Sequence, residues 1–425
     1  MIHVLHEVVG SVGLITLNRP EALNALSLAM VRDLGALLRK WRDDDSIEAV
    51  AVRGSNKAGV FGAFCAGGDI RFFHQAALAG DPHLEDFFTE EYILNHLIHH
   101  YPKPYVAFMD GIVMGGGMGI SQGACLRIVT ERTKMAMPET HIGLFPDVGG
   151  GYFLSRCPGH VGEYLALTGQ IIQGGDAIAV GLADVLATSA SLPELWALLS
   201  AADGRRAAEK ISDIRQRTLA ASRAAEAVTP AWRDASLDAV FGLPTVPAMV
   251  EALARAGEGW SAQTLATLRQ RSPLMLHVVL EQLRRGRGLS LANDLRMERD
   301  LVRHCFHTRH LQRSGASSET VEGIRALAVD KDHQPRWQPA RIEDITAEMV
   351  APFLSALGRS TGIRCSTWPE HGAQRLRPLR ARSTSRLPSR SLMVSRLSCS
   401  ALPLASAISH LTLPFFQCML MGTKV

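Results

Sequence analysis

Apolar strand-like runs that alternate with helically spaced stretches through the first 130 residues restrict this chain more than any other feature. Residues 3–17 alternate in polarity and close on Val12-Gly-Leu-Ile-Thr-Leu17, which predicts a hairpin-like strand pair. Asn18-Arg-Pro20 breaks that pattern, and Leu23 to Trp41 has helical spacing through Leu26, Met30, Leu34, Leu37, Leu38 and Trp41. Ile47 to Val52 reads as a short buried strand ahead of a glycine-rich loop over residues 54–68. Helical spacing returns from Phe87 to His100. Tyr105 to Met109 is again strand-like, residues 110–119 form a second glycine-rich turn, and Cys125 to Thr130 give a further strand. Strands that alternate with helices pair in parallel through crossovers, so the expected class is α/β. From Pro193 the strand signals stop, and residues 193–305 read as successive amphipathic helices. The expected organisation is an α/β core over residues 1–192, then an α-helical C-terminal portion over 193–358 that completes the same domain, and last a tail over 359–425.

The tail differs in composition from everything before it. It holds nine arginines, Lys424 and a single acid, Glu370, which leaves 35 Lys+Arg against 40 Asp+Glu in residues 1–358, a net of −5. The overall charge of +4 therefore comes from the tail, and the body is mildly acidic. A basic stripe with interleaved aromatics, which nucleic-acid binding asks for, is missing. Three readings compete for the tail: an unstructured basic segment, a membrane-associating stretch around residues 402–421, and residues translated from a shifted reading frame. The last is preferred, with plain disorder next. None makes the tail catalytic. Seven scattered cysteines without a CxxC pair argue against a disulfide framework or a zinc site and for a reducing compartment. The first residues lack a leader pattern, and no run of about 18 apolar residues occurs, so the expectation is a cytoplasmic protein without a membrane span.

Chemistry is concentrated in two glycine loops. Phe64-Cys65-Ala66-Gly67-Gly68-Asp69 and Met114-Gly115-Gly116-Gly117-Met118-Gly119 each follow a predicted strand, and the second opens a helix. Glycine lets the backbone approach a ligand closely, and two N–H groups aimed at one point can stabilise the oxyanion that forms when a carbonyl is attacked. Either loop alone would pass for a tight turn. Downstream, Glu139 and Asp147 stand eight residues apart, each beside a proline in an apolar run. An apolar setting raises a carboxyl's proton affinity, and two carboxyls in unlike surroundings can divide acid and base duties. The plainer alternative makes Glu139 a helix cap and Asp147 a turn residue.

At this point the chain resembles a known family. "AFCAGGDIR" (63–71), "KPYVAFMDGIVMGGGMGIS" (103–121) and "AMPETHIGLFPDVGGGYFLSR" (136–156) are similar to the crotonase family, and within it to the 3-hydroxyisobutyryl-CoA hydrolase branch. The resemblance extends over about residues 3–356 through "LTG" (167–169), "GLAD" (181–184), "SP" (272–273), "EGIRA" (322–326) and "DKDHQPRWQP" (330–339). It implies a ββα spiral core and hydrolysis of a short 3-hydroxyacyl-CoA in valine catabolism. Coenzyme A would be part of the substrate, with no separate cofactor or metal, and assembly would be as a trimer or hexamer. By the same resemblance Gly68 and Gly116 donate the oxyanion N–H groups, and the backbone around Ala66, with Gly67 and Asp69 beside it, holds the adenine end. Glu139 is the catalytic carboxylate, Asp147 its partner, and Glu91 a substrate contact. Hydratases of this family carry a second catalytic glutamate three residues after the loop's middle glycine, where this chain has Gly119, and glycine where this chain has Asp147. Both departures favour hydrolysis.

Other signals are weaker. Gly119-Ile-Ser121-Gln-Gly123 fits the GxSxG pattern formally, but an elbow serine follows a strand directly and Ser121 does not. His96, His99 and His100 read as partly exposed helix residues rather than metal ligands, and so do His304 and His307. Cys65 reads as a small packing residue and Asp69 as a helix cap. Residues 307–320 look like an insertion relative to the family. A lyase or isomerase of the same fold and a non-catalytic CoA-binding protein are the rival functions.

Overall fold

Residues 2–226, 232–233 and 236–355 are described in the structure, a computed structural model, and the readings of the tail lie outside them. The described residues belong to one compact unit. The strands are β1 (Val4–Val9), β2 (Val12–Leu17), β3 (Ala49–Asn56), β4 (Gly59–Val60), β5 (Tyr105–Met109), β6 (Ile112–Met114), β7 (Leu126–Val129), β8 (Lys134–Ala136), β9 (Ile172–Gln173) and β10 (Val185–Leu186). The main sheet runs β1-β2-β3-β5-β7-β10 with β4 folded back on β3, and a small second sheet runs β6-β8-β9. Only the first pair of the main path, β1 with β2, is antiparallel; β2-β3, β3-β5, β5-β7 and β7-β10 are parallel. That is the α/β class expected from the alternation.

The core follows from the period-two rule for strands. Val12 and Leu14, Ala49 and Ala51, Val106 and Phe108, and Leu126 and Ile128 point to one face of the main sheet. There they meet Leu192, Leu195, Trp196 and Leu199 of helix Leu192–Ser200. Gly13 points the other way, where a Cβ would come within 2.5 Å of the Trp41 ring. Trp41 ends the apolar stripe of helix Leu28–Arg42, whose first turn is capped by Ser27 accepting from Met30 N at 3.3 Å. The helix thus starts five residues later than its spacing from Leu23 suggests, because Pro20–Ala22 forms a 3₁₀ turn and Leu23 and Asn24 take positive φ.

Two further differences are local. Helix Ile70–Ala79 starts where the Asp69 cap puts it, though its extent was not assigned, and the next helix begins at His83, four residues ahead of Phe87. The short apolar stretch Leu327–Val329 belongs to a π-helical turn over Arg325–Val329. Past β10 the described residues contain helices and turns alone.

Candidate active site

Chain pairing outside the regular strands brings the two glycine loops together. Cys65 bridges Val113 of β6 and Gly68 bridges Leu26, both in parallel fashion. Backbone bonds pin the first loop: Ala66 N donates to Leu23 O at 3.0 Å, Leu26 N to Gly67 O at 2.7 Å and Asp69 N to Leu26 O at 3.0 Å. Asp69 fixes its far end, with Oδ1 accepting from Phe72 N at 3.2 Å and Oδ2 paired with Arg19 at 2.8 Å. Both Asp69 oxygens are therefore committed to the scaffold. The residue holds the loop, as a helix cap does, rather than reaching for a ligand. Ala66 keeps a carbonyl oxygen that accepts no hydrogen bond among the described residues.

The second loop turns at Gly115, whose φ of 47° and ψ of −120° suit glycine alone. A Cβ there would lie 2.8 Å from Glu139 Oε1 and 3.6 Å from Gly67 Cα. Helix Gly116–Gln122 starts from this turn, and a Cβ on Gly116 would stand 2.6 Å from Glu91 Oε1 and 3.4 Å from the Gly67 carbonyl carbon. Loop meets loop at van der Waals distance, with one carboxyl on each side. Gly68 N and Gly116 N have no hydrogen-bond partner among the described residues. Gly116 is buried and Gly68 half-buried; an N–H shut away from water without a partner costs about 1–3 kcal/mol, so such a pair is a reserve for something that binds there.

Three acids line this point from different elements. Glu91 lies on helix His83–His99, Glu139 opens the 3₁₀ turn Glu139–Ile142 after β8, and Asp147 sits on the following loop. All three are buried. Tyr92, next to Glu91, donates its hydroxyl to Asp147 Oδ2 at 3.0 Å, whereas Glu91 Oε1 and Glu139 Oε2 have no partner. Burial, then the charges of Asp147 and Glu139, pushes the Glu91 carboxyl well above its usual range. Burial and then Asp147 do the same to Glu139. Burial lifts Asp147 to about 7, opposed by the Tyr92 hydrogen bond. Buried carboxyls that raise one another's proton affinity resist ionising together, an arrangement that can divide acid and base duties among them. Of the two plainer alternatives, the cap fails, since the cap of the 3₁₀ turn is Pro138. Asp147 does open a turn, with Gly150 N donating to its carbonyl at 2.8 Å, but its side chain is buried beside Tyr92 rather than turned to solvent.

Other candidates fall away on geometry. Ser121 lies inside helix Gly116–Gln122 and donates back to Gly117 O at 2.8 Å. Cys65 is fully buried with its thiol pushed up to about 12, so it carries no thiolate. His96 and His100 stack on each other at 4.2 Å, and among the described residues no group of His, Cys, Asp and Glu could hold a metal ion.

Sequence reasoning missed three contributors. Tyr92 and Asn95 share the helix with Glu91 and follow it at one and four residues, so a second polar residue on the helix's buried face, one turn past Glu91, was the available signal. The third is an acid pair in the C-terminal portion. Glu298 accepts from Gly149 N at 2.7 Å and from Gly151 N at 3.0 Å, and Asp294 accepts from Tyr152 N at 2.9 Å. Gln282 Nε2 adds bonds to Pro146 O at 2.7 Å and Glu298 Oε1 at 3.2 Å. Together they clamp residues 146–152, and Val148 inside that stretch has φ of 57°, a costly conformation for a β-branched residue. The clamp holds the strained turn that carries Asp147.

The chain is similar to known proteins over most of its length. The family model described as enoyl-CoA hydratase/isomerase matches residues 12–354. A Xenopus tropicalis protein named 3-hydroxyisobutyryl-CoA hydrolase, mitochondrial, is 40% identical over 353 residues, 83% of this chain and 88% of that protein. Among solved structures, a carnitinyl-CoA dehydratase from Mycobacterium thermoresistibile aligns with a TM-score of 0.71 at 36% identity, over 84% of this chain and 98% of that one. An enoyl-CoA hydratase from Rhodobacter sphaeroides 2.4.1 aligns with a TM-score of 0.69 at 35% identity and the same coverage.

Proposed function

Because this chain belongs to the enoyl-CoA hydratase/isomerase family, we propose that it hydrolyses a short 3-hydroxyacyl-CoA thioester, 3-hydroxyisobutyryl-CoA before others. The observation that carries the reading is the pair of partnerless amides, Gly68 N–H and Gly116 N–H, beside the Glu91–Glu139–Asp147 cluster. In this reading the thioester oxygen takes both amides as its oxyanion hole, an interaction worth about 10²–10³ in rate per donor. Glu139 delivers an oxygen to the carbonyl carbon, either its own, forming a mixed anhydride that water then cleaves to free the acid and restore the carboxylate, or that of a water it deprotonates. The carbon–sulfur bond then breaks, and the proton held in the cluster passes through Asp147 to the departing thiolate. Glu91, beside Gly116, closes the acyl end of the site, and the free Ala66 carbonyl is available to the adenine end of coenzyme A.

Hydration is the rival activity, and the solved relatives above carry lyase names. It needs a second carboxylate at position 119. A Cβ at Gly119 would come within 2.6 Å of Val148 Cβ and 2.8 Å of Asn95 Nδ2, so the place is already filled. Thiol release from 3-hydroxyisobutyryl-CoA and 3-hydroxypropionyl-CoA, measured beside crotonyl-CoA hydration on one preparation, separates the two. Hydrolysis is expected to dominate. Hydration without thiol release would overturn the proposal, and an inert protein that still binds coenzyme A would favour a non-catalytic role. Ser121→Ala is expected to keep thiol release within about twofold, since that hydroxyl only bonds its own helix; a tenfold loss would revive a serine nucleophile.

The four described cysteines are free, which fits a reducing compartment such as the cytoplasm proposed for this chain, whereas the Xenopus relative is named mitochondrial. Among the described residues no helix is long and apolar enough to cross a membrane. Assembly as a trimer or hexamer belongs to the same proposal, and light scattering reads it.

A further inference from the structure

Asn95 is the one side chain among the described residues whose amide nitrogen and oxygen are both buried and both without a partner. It is 3% exposed, on helix His83–His99, one turn beyond Glu91 and on the same face. The two residues face helix Gly116–Gln122 at two of its three glycines: Glu91 Oε1 near Gly116, Asn95 Nδ2 near Gly119. The same Gly119 is crowded by Val148, the neighbour of Asp147, while Tyr92 on the Asn95 helix holds Asp147 Oδ2. An unused amide therefore stands between the oxyanion loop and the Asp147 turn. A core asparagine with both functions idle costs stability and contributes nothing to packing that leucine would not, so its use lies with a ligand.

We propose that Asn95 is the specificity-determining residue for the 3-hydroxyl of the acyl group, an inference that rests on the hydrolase reading above. A hydroxyl is both donor and acceptor. It can donate a hydrogen bond to Asp147 while its oxygen accepts one from the Asn95 N–H. An acyl group without the hydroxyl leaves the buried amide unpaired, and sites built this way reject such analogues strongly. Gly119 completes the arrangement, because a side chain at that position would displace the amide. The residue that removes hydratase chemistry thereby makes room for hydroxyl recognition.

The test is the ratio of kcat/KM for 3-hydroxyisobutyryl-CoA to that for isobutyryl-CoA, in the full chain and in Asn95→Ala and Asn95→Ser. The ratio does not depend on how much of each variant is folded. We expect it to fall at least about tenfold in Asn95→Ala, through the hydroxylated substrate, with isobutyryl-CoA changing less than about threefold and serine restoring part of the difference. Equal losses on both thioesters, or no loss on either, would overturn the inference while leaving the hydrolase reading intact. A wild-type chain that releases thiol from neither thioester would sink that reading and this one with it.

Discussion

Replacing Glu139 by glutamine lowers thiol release by about a thousandfold or more, with the fold retained. Glutamine matches glutamate in size and keeps the Oε1 position beside Gly115, so packing at the loop is preserved. It can neither attack a carbonyl nor take a proton from water, and removal of a base or nucleophile from a preorganised site costs about 10²–10⁴ or more in rate. The amides of Gly68 and Gly116 survive the change, so a residual rate above the uncatalysed one persists. Burst-free thiol-release kinetics with a thermal melt on the same sample decide the matter. Activity within tenfold of wild type would remove Glu139 from the chemistry.

The second large effect is on stability, and it has the opposite sign. Asp147→Asn raises the melting temperature, and the gain grows between pH 5 and pH 8. The folded Asp147 titrates near 7 against an ordinary 3.8, first because of burial. Between those values the native state holds a proton that the unfolded chain has released. Wild-type stability therefore falls as pH rises through that window, by at most about 1.4 kcal/mol per pH unit for one group. Asparagine does not titrate, and its Oδ1 can still accept the Tyr92 hydroxyl. At pH 8 the relief approaches roughly 4 kcal/mol as an upper bound, or several degrees in melting temperature for a domain of this size. At pH 5 most of it vanishes. Scans at both pH values give the answer; a shift of equal size at each, or a loss at pH 8, would mean that Asp147 is not held against its own charge. Stability gained where activity is lost is the usual sign of a site built for function.

Much of this could be read from residues alone, and the reason is local. The strand pair at 3–17, the Tyr105–Met109 strand and the two glycine loops announce themselves within a few positions, since period-two polarity and glycine clusters are short-range signals. Glu139 and Asp147 stood out because charge is rare in so apolar a stretch. Asp69 marked the start of helix Ile70–Ala79 but not its extent, and the start of the Leu28 helix was hidden by a turn that keeps the apolar spacing. The clamp was beyond reach for another reason: Glu298 meets Gly149 across 149 positions of chain, and no local pattern reports a partner that distant. Asn95 lay close to Glu91 in sequence, yet its significance is an absence of partners, which only coordinates display.

The hold that Asp294 and Glu298 keep on residues 146–152 makes the order of synthesis matter. The three signature stretches that hold the glycine loops, Glu139 and Asp147 end by residue 156, while the acids that secure the Asp147 turn are synthesised some 140 residues later. A nascent or prematurely terminated chain would thus pass a search for those motifs and still have Val148 free to relax. Damage to the distant helix Leu291–Phe306 would silence such a protein as surely as damage at the glycine loops.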